Sequence, residues 1–198
     1  MIRKLEGLSE EELRKIRLLV GEAFVSNELF HNWGSEDERR EDVLKYMKVY
    51  VDFAYSSGDL YANEDMTGFI GLEDSKEKKI GPQLKMLFKL FTTLPFYRIK
   101  QLMSFINQIG EGNKQYAKTH HIDVLMVCVD KAHQGKGIAR ELITFAKDMS
   151  DSKGVPLLID TDMQSYAQMY EHMGCKVYNK IKADNGVTRY NLRYISER

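Results

Sequence analysis

Val129-Asp130-Lys131-Ala132-His133-Gln134-Gly135-Lys136-Gly137-Ile138-Ala139-Arg140 is the stretch on which the reading of this chain turns. Ahead of it runs Ile122-Asp123-Val124-Leu125-Met126-Val127-Cys128, apolar but for Asp123, which is the pattern of a strand buried on both faces. Behind it Ile138, Leu142, Phe145, Ala146 and Met149 recur at helical spacing. A buried strand thus passes through closely spaced glycines into a helix, and such a turn binds anions. Gly135 and Gly137 let the backbone approach a phosphate with no Cβ in the way, while the first N–H groups of the helix and its positive dipole end face the ligand. Lys136 adds a local positive charge. Two other phosphate-binding patterns fail on spacing: a P-loop needs four residues between its first glycine and Gly-Lys-Ser/Thr, and a dinucleotide fingerprint needs glycine where Arg140 stands.

Working outward, a buried strand over Val155 to Ile159, a helix near Met163 to Met173 and two strands near Cys175 to Ile181 and Val187 to Ile195 complete the C-terminal half. Towards the N-terminus, a short strand at Ile2 to Leu5 leads to Ser9 with Glu12, a capping box ahead of the stripe Leu13, Ile16, Val20 and Phe24. Ser35 with Glu38 repeats the box before a second helix that Gly58 closes. Leu60 to Ala62 and Thr67 to Leu72, around Asn63-Glu64-Asp65, read as a β-hairpin.

Residues 75 to 118 differ in character, with nine Lys/Arg against Glu77 and Glu111. Their apolar residues form two helical stripes, Leu84-Leu87-Phe88-Phe91 and Ile99-Leu102-Met103-Ile106-Ile109, separated by Pro95. The pattern predicts a basic helical hairpin inserted in one domain spanning 1–198. The expectation is that both stripes pack on the domain and the lysines face water; a lid or a membrane-surface patch are the alternatives. Lys85, Lys89, Arg98 and Lys100 interrupt the most apolar window, so no membrane-spanning helix and no stable membrane insertion are expected.

Gln134, Gly137 and Ala139 form Gln-x-x-Gly-x-Ala, and Tyr170-Glu171-His172-Met173-Gly174 follows about thirty residues later on the helix after the next strand. Together, in this order, they resemble the acyl-coenzyme-A signature and the late Tyr-Glu-x-x-Gly pattern of the GNAT superfamily, the general N-acetyltransferases. The resemblance covers residues 119 to 182 well, and the insertion lies outside it. It implies an α+β fold, with a mixed, mostly antiparallel central sheet flanked by helices. It further implies acetyl-CoA as cosubstrate, with the pyrophosphate on the backbone of Gln134, Gly135, Lys136, Gly137, Ile138 and Ala139. The pantetheine arm would run along Val127 to Val129, and Tyr170 would lie near the thioester sulfur. Asp123 stands where some members carry a carboxylate general base. Many members have an asparagine where Asp162, Met163 and Gln164 lie, so that contact is not carried over.

The chemistry this implies is direct transfer of an acetyl group to a primary amine, with a small molecule as the expected acceptor. A non-catalytic acyl-CoA-binding module and a protein N-terminal or lysine acetyltransferase are the alternatives. An alkyl amine with a pKa near about 10 presents its lone pair in roughly one molecule per thousand at pH 7, so a proton acceptor is needed. Asp123 serves only if burial raises its pKa, whereas His120 and His121 start nearer the right value but read as surface or strand-end residues. Cys128, inside an apolar strand, is a poor nucleophile.

Lys+Arg and Asp+Glu both number 29, so no global basic excess points to nucleic acid. The insertion's charge, taken alone, disfavours a strongly cationic acceptor and favours one bearing a carboxylate or phosphate. Two cysteines without metal-ligand spacing exclude a disulfide framework and a zinc site and fit the cytoplasm, as does an N-terminus without a secretory stretch. Oligomeric state is open, with a homodimer one option.

Overall fold

Ser9 and Ser35 each accept a hydrogen bond from the backbone three residues on, and Glu12 and Glu38 reach back to the cap N–H. These boxes fix the starts of α1 (Glu10–Phe24) and α2 (Glu36–Ser57), and Gly58, at φ 77°, ends α2 in the left-handed region. In a computed structural model of the protein, residues 1–196 are described. β1 (Ile2–Lys4) precedes α1; β2 (Leu60–Asn63) and β3 (Gly68–Asp74) follow α2 as an antiparallel hairpin. After them come α3 (Ile80–Thr93), α4 (Phe96–Ile109) and a 3₁₀ run (Gly110–Tyr116). β4 (Ile122–Val129), α5 (Ile138–Lys153), β5 (Leu157–Thr161), α6 (Gln164–His172), β6 (Lys176–Lys182) and β7 (Thr188–Tyr194) complete the order.

The strands form one seven-stranded sheet in the order β1-β2-β3-β4-β5-β7-β6, antiparallel throughout except where β4 lies parallel to β5. α5 and α6 cover one face through Leu142, Ile143, Ala146 and Ala167, against Ile70, Ile122, Leu157 and Ile159. α1, α2 and α4 cover the other, where Val20, Val43, Met47, Phe105 and Ile109 meet Leu60, Phe69, Met126 and Cys128. This is the mixed, mostly antiparallel sheet with an inserted helical hairpin that the sequence implies.

One irregularity in β4 shapes everything that follows. Gly71 of β3 pairs with Met126 and Leu72 pairs with Val124, so Leu125 is an extra residue. Across this bulge the side-chain parity flips: Ile122 and Val124 face α5, as do Val127 and Val129, while Leu125, Met126 and Cys128 face α1 and α2. Pairing between β4 and β5 ends at the same level, Val124 with Ile159, although β4 runs on to Val129. Past the bulge the two parallel strands part and leave a gap in the sheet.

The two helices of the insertion behave differently. α4 buries Ile99, Leu102 and Ile109 in the core, as its stripe predicts, and Phe105 beside them, although Met103 of that stripe stays exposed. α3 has no buried residue, and its stripe points away from the domain. The expectation that both stripes pack inward is therefore corrected for α3. Its other face lies on α2, where Lys89 donates to Asp52 at 3.1 Å. Several of the insertion's cations turn inward likewise: Arg98 is buried against Asp42 at 2.8 Å, and Lys79 donates to the Ser57 carbonyl.

Candidate active site

Two cavities open on the gap between β4 and β5. The first, about 390 Å³, is lined by Val127, Cys128 and Val129, by the turn residues Gln134, Gly135 and Gly137, by the first turn of α5, and by α6. Gly135 and Gly137 have φ of 76° and 83°, which glycine alone adopts without strain. Gly137 is the N-cap of α5 and offers no side chain to it. The first intrahelical bond is from Glu141 N–H to the Gly137 carbonyl at 3.0 Å, so the N–H groups of Ile138, Ala139 and Arg140 are left for a ligand. Of the turn residues the sequence singles out, only Lys136 does not line this cavity.

The second cavity, about 690 Å³, lies on the α1–α2 side of the gap. Phe24, Phe30, Tyr46 and Tyr50 make an aromatic wall, in which Tyr46 and Tyr50 stack at 6.2 Å and the Tyr50 hydroxyl donates to the carbonyl of the bulge residue Leu125 at 3.3 Å. The insertion supplies a second wall through Ile106, Gly110, Asn113, Lys114 and Ala117. Phe24, Asn27, Val127, Tyr166 and Tyr170 line both cavities, so Tyr170 sits where they meet.

The floor of the second cavity is polar. Asp123 takes an ion pair from Lys78 at 3.0 Å and from His121 Nε2 at 3.3 Å, while Lys78 also reaches Glu73 at 3.1 Å. Burial acts to raise the Asp123 carboxyl, but His121 and Lys78 overcome it and hold it below the ordinary aspartate value. His121 is buried; its hydrogen bond to Asp123 outweighs burial and raises its pKa above the ordinary histidine value, and its Nδ1 donates to the Thr119 carbonyl at 2.6 Å. Deeper in, Arg189 clamps Asp162 at 2.6 and 2.8 Å. Asp160 accepts from Asn191 at 2.8 Å and Asn113 at 3.0 Å, with Arg189 at 3.5 Å; its burial outweighs Arg189 and the two amides and pushes its carboxyl up.

The structure therefore brings Asp123 and Tyr170 to one composite site, and it adds residues that the sequence reading passed over. His121 lines the cavity instead of standing at the surface, and Tyr46, Tyr50, Asn113, Asp160 and Arg189 join it from four separate elements. Only His121, at the head of the key strand, carried any signal in the sequence. Of the cavity's cations, Lys78 and Lys114 come from the insertion and Arg189 from β7; each is paired, Lys114 with Glu111, and three carboxylates share the cavity with them. Burial pushes the Tyr170 phenol above the ordinary tyrosine value and the Cys128 thiol up to about 12, so both stay protonated at neutral pH. Among the described residues no group of three or more His, Cys, Asp or Glu is placed to hold a metal.

Residues 100–176 match the family model described as an acetyltransferase (GNAT) domain. An uncharacterised N-acetyltransferase of Schizosaccharomyces pombe is 34% identical over 68 residues, 33% of this chain and 28% of that protein, so the aligned part is a little over a quarter of the relative. Among solved structures, an acetyltransferase from Corynebacterium glutamicum described as histone acetyltransferase HPA2 and related superposes with a TM-score of 0.62 at 11% identity, over 100% of this chain and 97% of the other. A mosquito arylalkylamine N-acetyltransferase like 5b gives 0.60 at 12%, over 99% of both. A GNAT-family acetyltransferase of Streptococcus agalactiae gives 0.57 at 16%, over 100% and 96%. At these identities the structures speak for the fold, which this chain shares with them, and residues 100–176, with the glycine turn inside them, carry the match to the acetyltransferase (GNAT) domain.

Proposed function

We propose that the protein transfers the acetyl group of acetyl-CoA directly to the primary amine of a small molecule. The observation that carries this reading is the pair of cavities meeting at Tyr170, one floored by a glycine turn with free helix N–H groups and the other walled by aromatic rings and the insertion. The free N–H groups of α5 suit a pyrophosphate, and the unpaired edge of β4 from Val127 to Val129 suits an arm carrying amides. The aromatic wall and the buried carboxylates favour an amine with an apolar body over an anionic acceptor. The enclosure by residues 106–117 favours a small molecule over a protein chain.

In this reading the ammonium gives one proton to a base, the free amine attacks the thioester carbonyl, and the tetrahedral intermediate expels the thiolate of CoA while the nitrogen's second proton passes through water to that sulfur. Asp123, held ionised and low, is a weak proton acceptor and serves to hold His121 and raise its basicity. His121 is then the acceptor, reached from the amine through water. Tyr170 meets the developing thiolate as a hydrogen-bond donor; since burial raises its phenol further above the thiol value of about 8.5, complete proton transfer is uphill. Positioning of amine and thioester supplies the larger share of the acceleration.

The test is release of free thiol from acetyl-CoA against a panel of primary amines, with product mass confirming one acetyl per amine. Turnover with apolar-bodied amines supports the reading. Cofactor binding without thiol release across the panel would make the protein a non-catalytic acyl-CoA-binding module, and turnover confined to peptides would move the acceptor to protein.

A further inference from the structure

Among the described residues, eight of the twelve large hydrophobic side chains that stand exposed fall between Ile80 and Met103. Ile80, Leu84, Leu87, Phe88 and Phe91 recur at three- and four-residue intervals along one side of α3, a helix of about 21 Å at 1.5 Å per residue. Ile80 is 71% and Phe88 69% exposed. The face continues around the Leu94-Pro95 corner, where Phe96, 78% exposed, and Met103 stand on the outer side of α4. A continuous apolar face of this size on a globular domain marks an interaction site.

The charge around it identifies the occupant. No acidic residue occurs between Glu77 and Glu111, a span holding Lys78, Lys79, Lys85, Lys89, Arg98 and Lys100. Four of these cations turn inward to Asp123, Ser57, Asp52 and Asp42. Lys85 and Lys100 remain exposed, with Lys100 one turn from both Phe96 and Met103 on the outer side of α4. Lys76 and Lys118 are exposed at the two ends of the insertion. An apolar helix face bordered by lysines, on a segment with no carboxylate of its own, matches the boundary between acyl chains and anionic headgroups. A second copy packed through this same face would set the segment's cations against themselves, with no carboxylate of the segment to meet them.

We infer that the outer face of α3 and the α3–α4 corner dock on an anionic lipid surface. The helix lies in the plane of the interface, Phe88 and Phe91 enter the acyl boundary, and Lys85 and Lys100 meet headgroup phosphates. This binding is peripheral, since no helix among the described residues is long and apolar enough to cross a membrane. It is independent of the acetyl transfer, because none of these side chains lines either cavity.

Cosedimentation of the full chain with vesicles of equal parts phosphatidylcholine and phosphatidylglycerol, at low and at high salt, tests this directly. Binding at low salt should fall about fivefold or more in 0.5 M salt and on pure phosphatidylcholine. Phe88→Ser combined with Phe91→Ser should lower the partition about tenfold. Lys85→Glu combined with Lys100→Glu should abolish the preference for anionic vesicles, and both variants should keep the melting temperature and the cofactor affinity of the parent. Failure of the parent chain to sediment with anionic vesicles at low salt overturns the inference without any variant. So does binding that ignores the loss of both phenylalanines, or a light-scattering mass of two chains that Phe88→Ser with Phe91→Ser returns to one, which would assign the face to a second copy.

Discussion

The two cavities that meet at Tyr170 are built in opposite ways. The cofactor side comes from two short runs of sequence, 127–140 and 163–173, with a small contribution from α1. The acceptor side draws on α1, residues 27–30 just after it, α2, the insertion, β4, β5 and β7, and its polar residues Asn113, Asp123, Asp160 and Arg189 come from four separate elements. A diphosphate can be held by main-chain N–H groups and a dipole, which a local turn supplies whatever its side chains. An acceptor is selected by side chains converging from afar. The first kind of site writes itself into the sequence as a motif, and the second does not.

The sharpest way to break this contrast is Gly137→Asp. The site has open space for a Cβ, so the penalty comes from the left-handed φ of 83° and from a carboxylate set against the diphosphate. Affinity for CoA in calorimetry should fall by a factor on the order of 1,000, with circular dichroism unchanged. Undiminished affinity would move the diphosphate elsewhere and dissolve the contrast.

Tyr170→Phe probes the junction itself. The ring volume is kept and one hydrogen-bond donor is lost, so kcat and kcat/KM should fall together by about 100-fold while CoA affinity stays within about twofold. Wild-type turnover with chemistry rate-limiting would remove the hydroxyl from the reaction.

On the acceptor side, Gly112 lets the insertion settle on the sheet. A Cβ there would fall 1.9 Å from Asn191 Oδ1, and Asn191 is fully buried, bonded to both Asp160 and Asn113. Gly112→Ala should therefore raise acceptor KM about tenfold through a displaced Asn113, lower the melting temperature by several degrees, and leave CoA affinity alone. Equal effects on both substrates would mean that the two cavities are mechanically one.

How much of this was legible follows from the same contrast. The capping boxes at Ser9 and Ser35, the stripe of α5 and the glycine turn are local, and the sequence shows each of them where it stands. The bulge at Leu125 was not legible: Ile122 to Val129 reads as uniformly apolar, and an extra residue in such a run leaves no trace in its periodicity. Nor was the fate of α3, since a stripe of Leu84, Leu87, Phe88 and Phe91 looks the same whether it faces a core or water. A histidine at a strand end usually stands at the surface, and it is the insertion, with Tyr116 against the ring, that folds over His121 and buries it.

The smallest effect, and the most discriminating, belongs to His121. If it accepts the amine's proton, kcat/KM for the acceptor climbs with pH until His121 is neutral, then holds level, because further deprotonation of the amine only removes the proton that His121 was to take. The break should lie above pH 6.5, since the bond to Asp123 and the nearby charge raise His121 by more than burial and Lys78 lower it. In His121→Gln the plateau disappears and log kcat/KM rises with a slope of about one towards the amine's own pKa near about 10. The loss is then about tenfold at pH 7 and shrinks at pH 9. Asp123→Asn should shift the break below its wild-type position, because burial and Lys78 are left to act with no carboxylate opposing them. Stability carries the same sign: a pKa raised in the folded state gives stabilisation that is complete below about pH 6.5 and is lost as pH rises through the folded value, so His121→Gln should cost more stability at pH 5 than at pH 8. A His121→Gln profile with its break unmoved would take the proton away from this residue and leave the acceptor cavity with water alone to carry it.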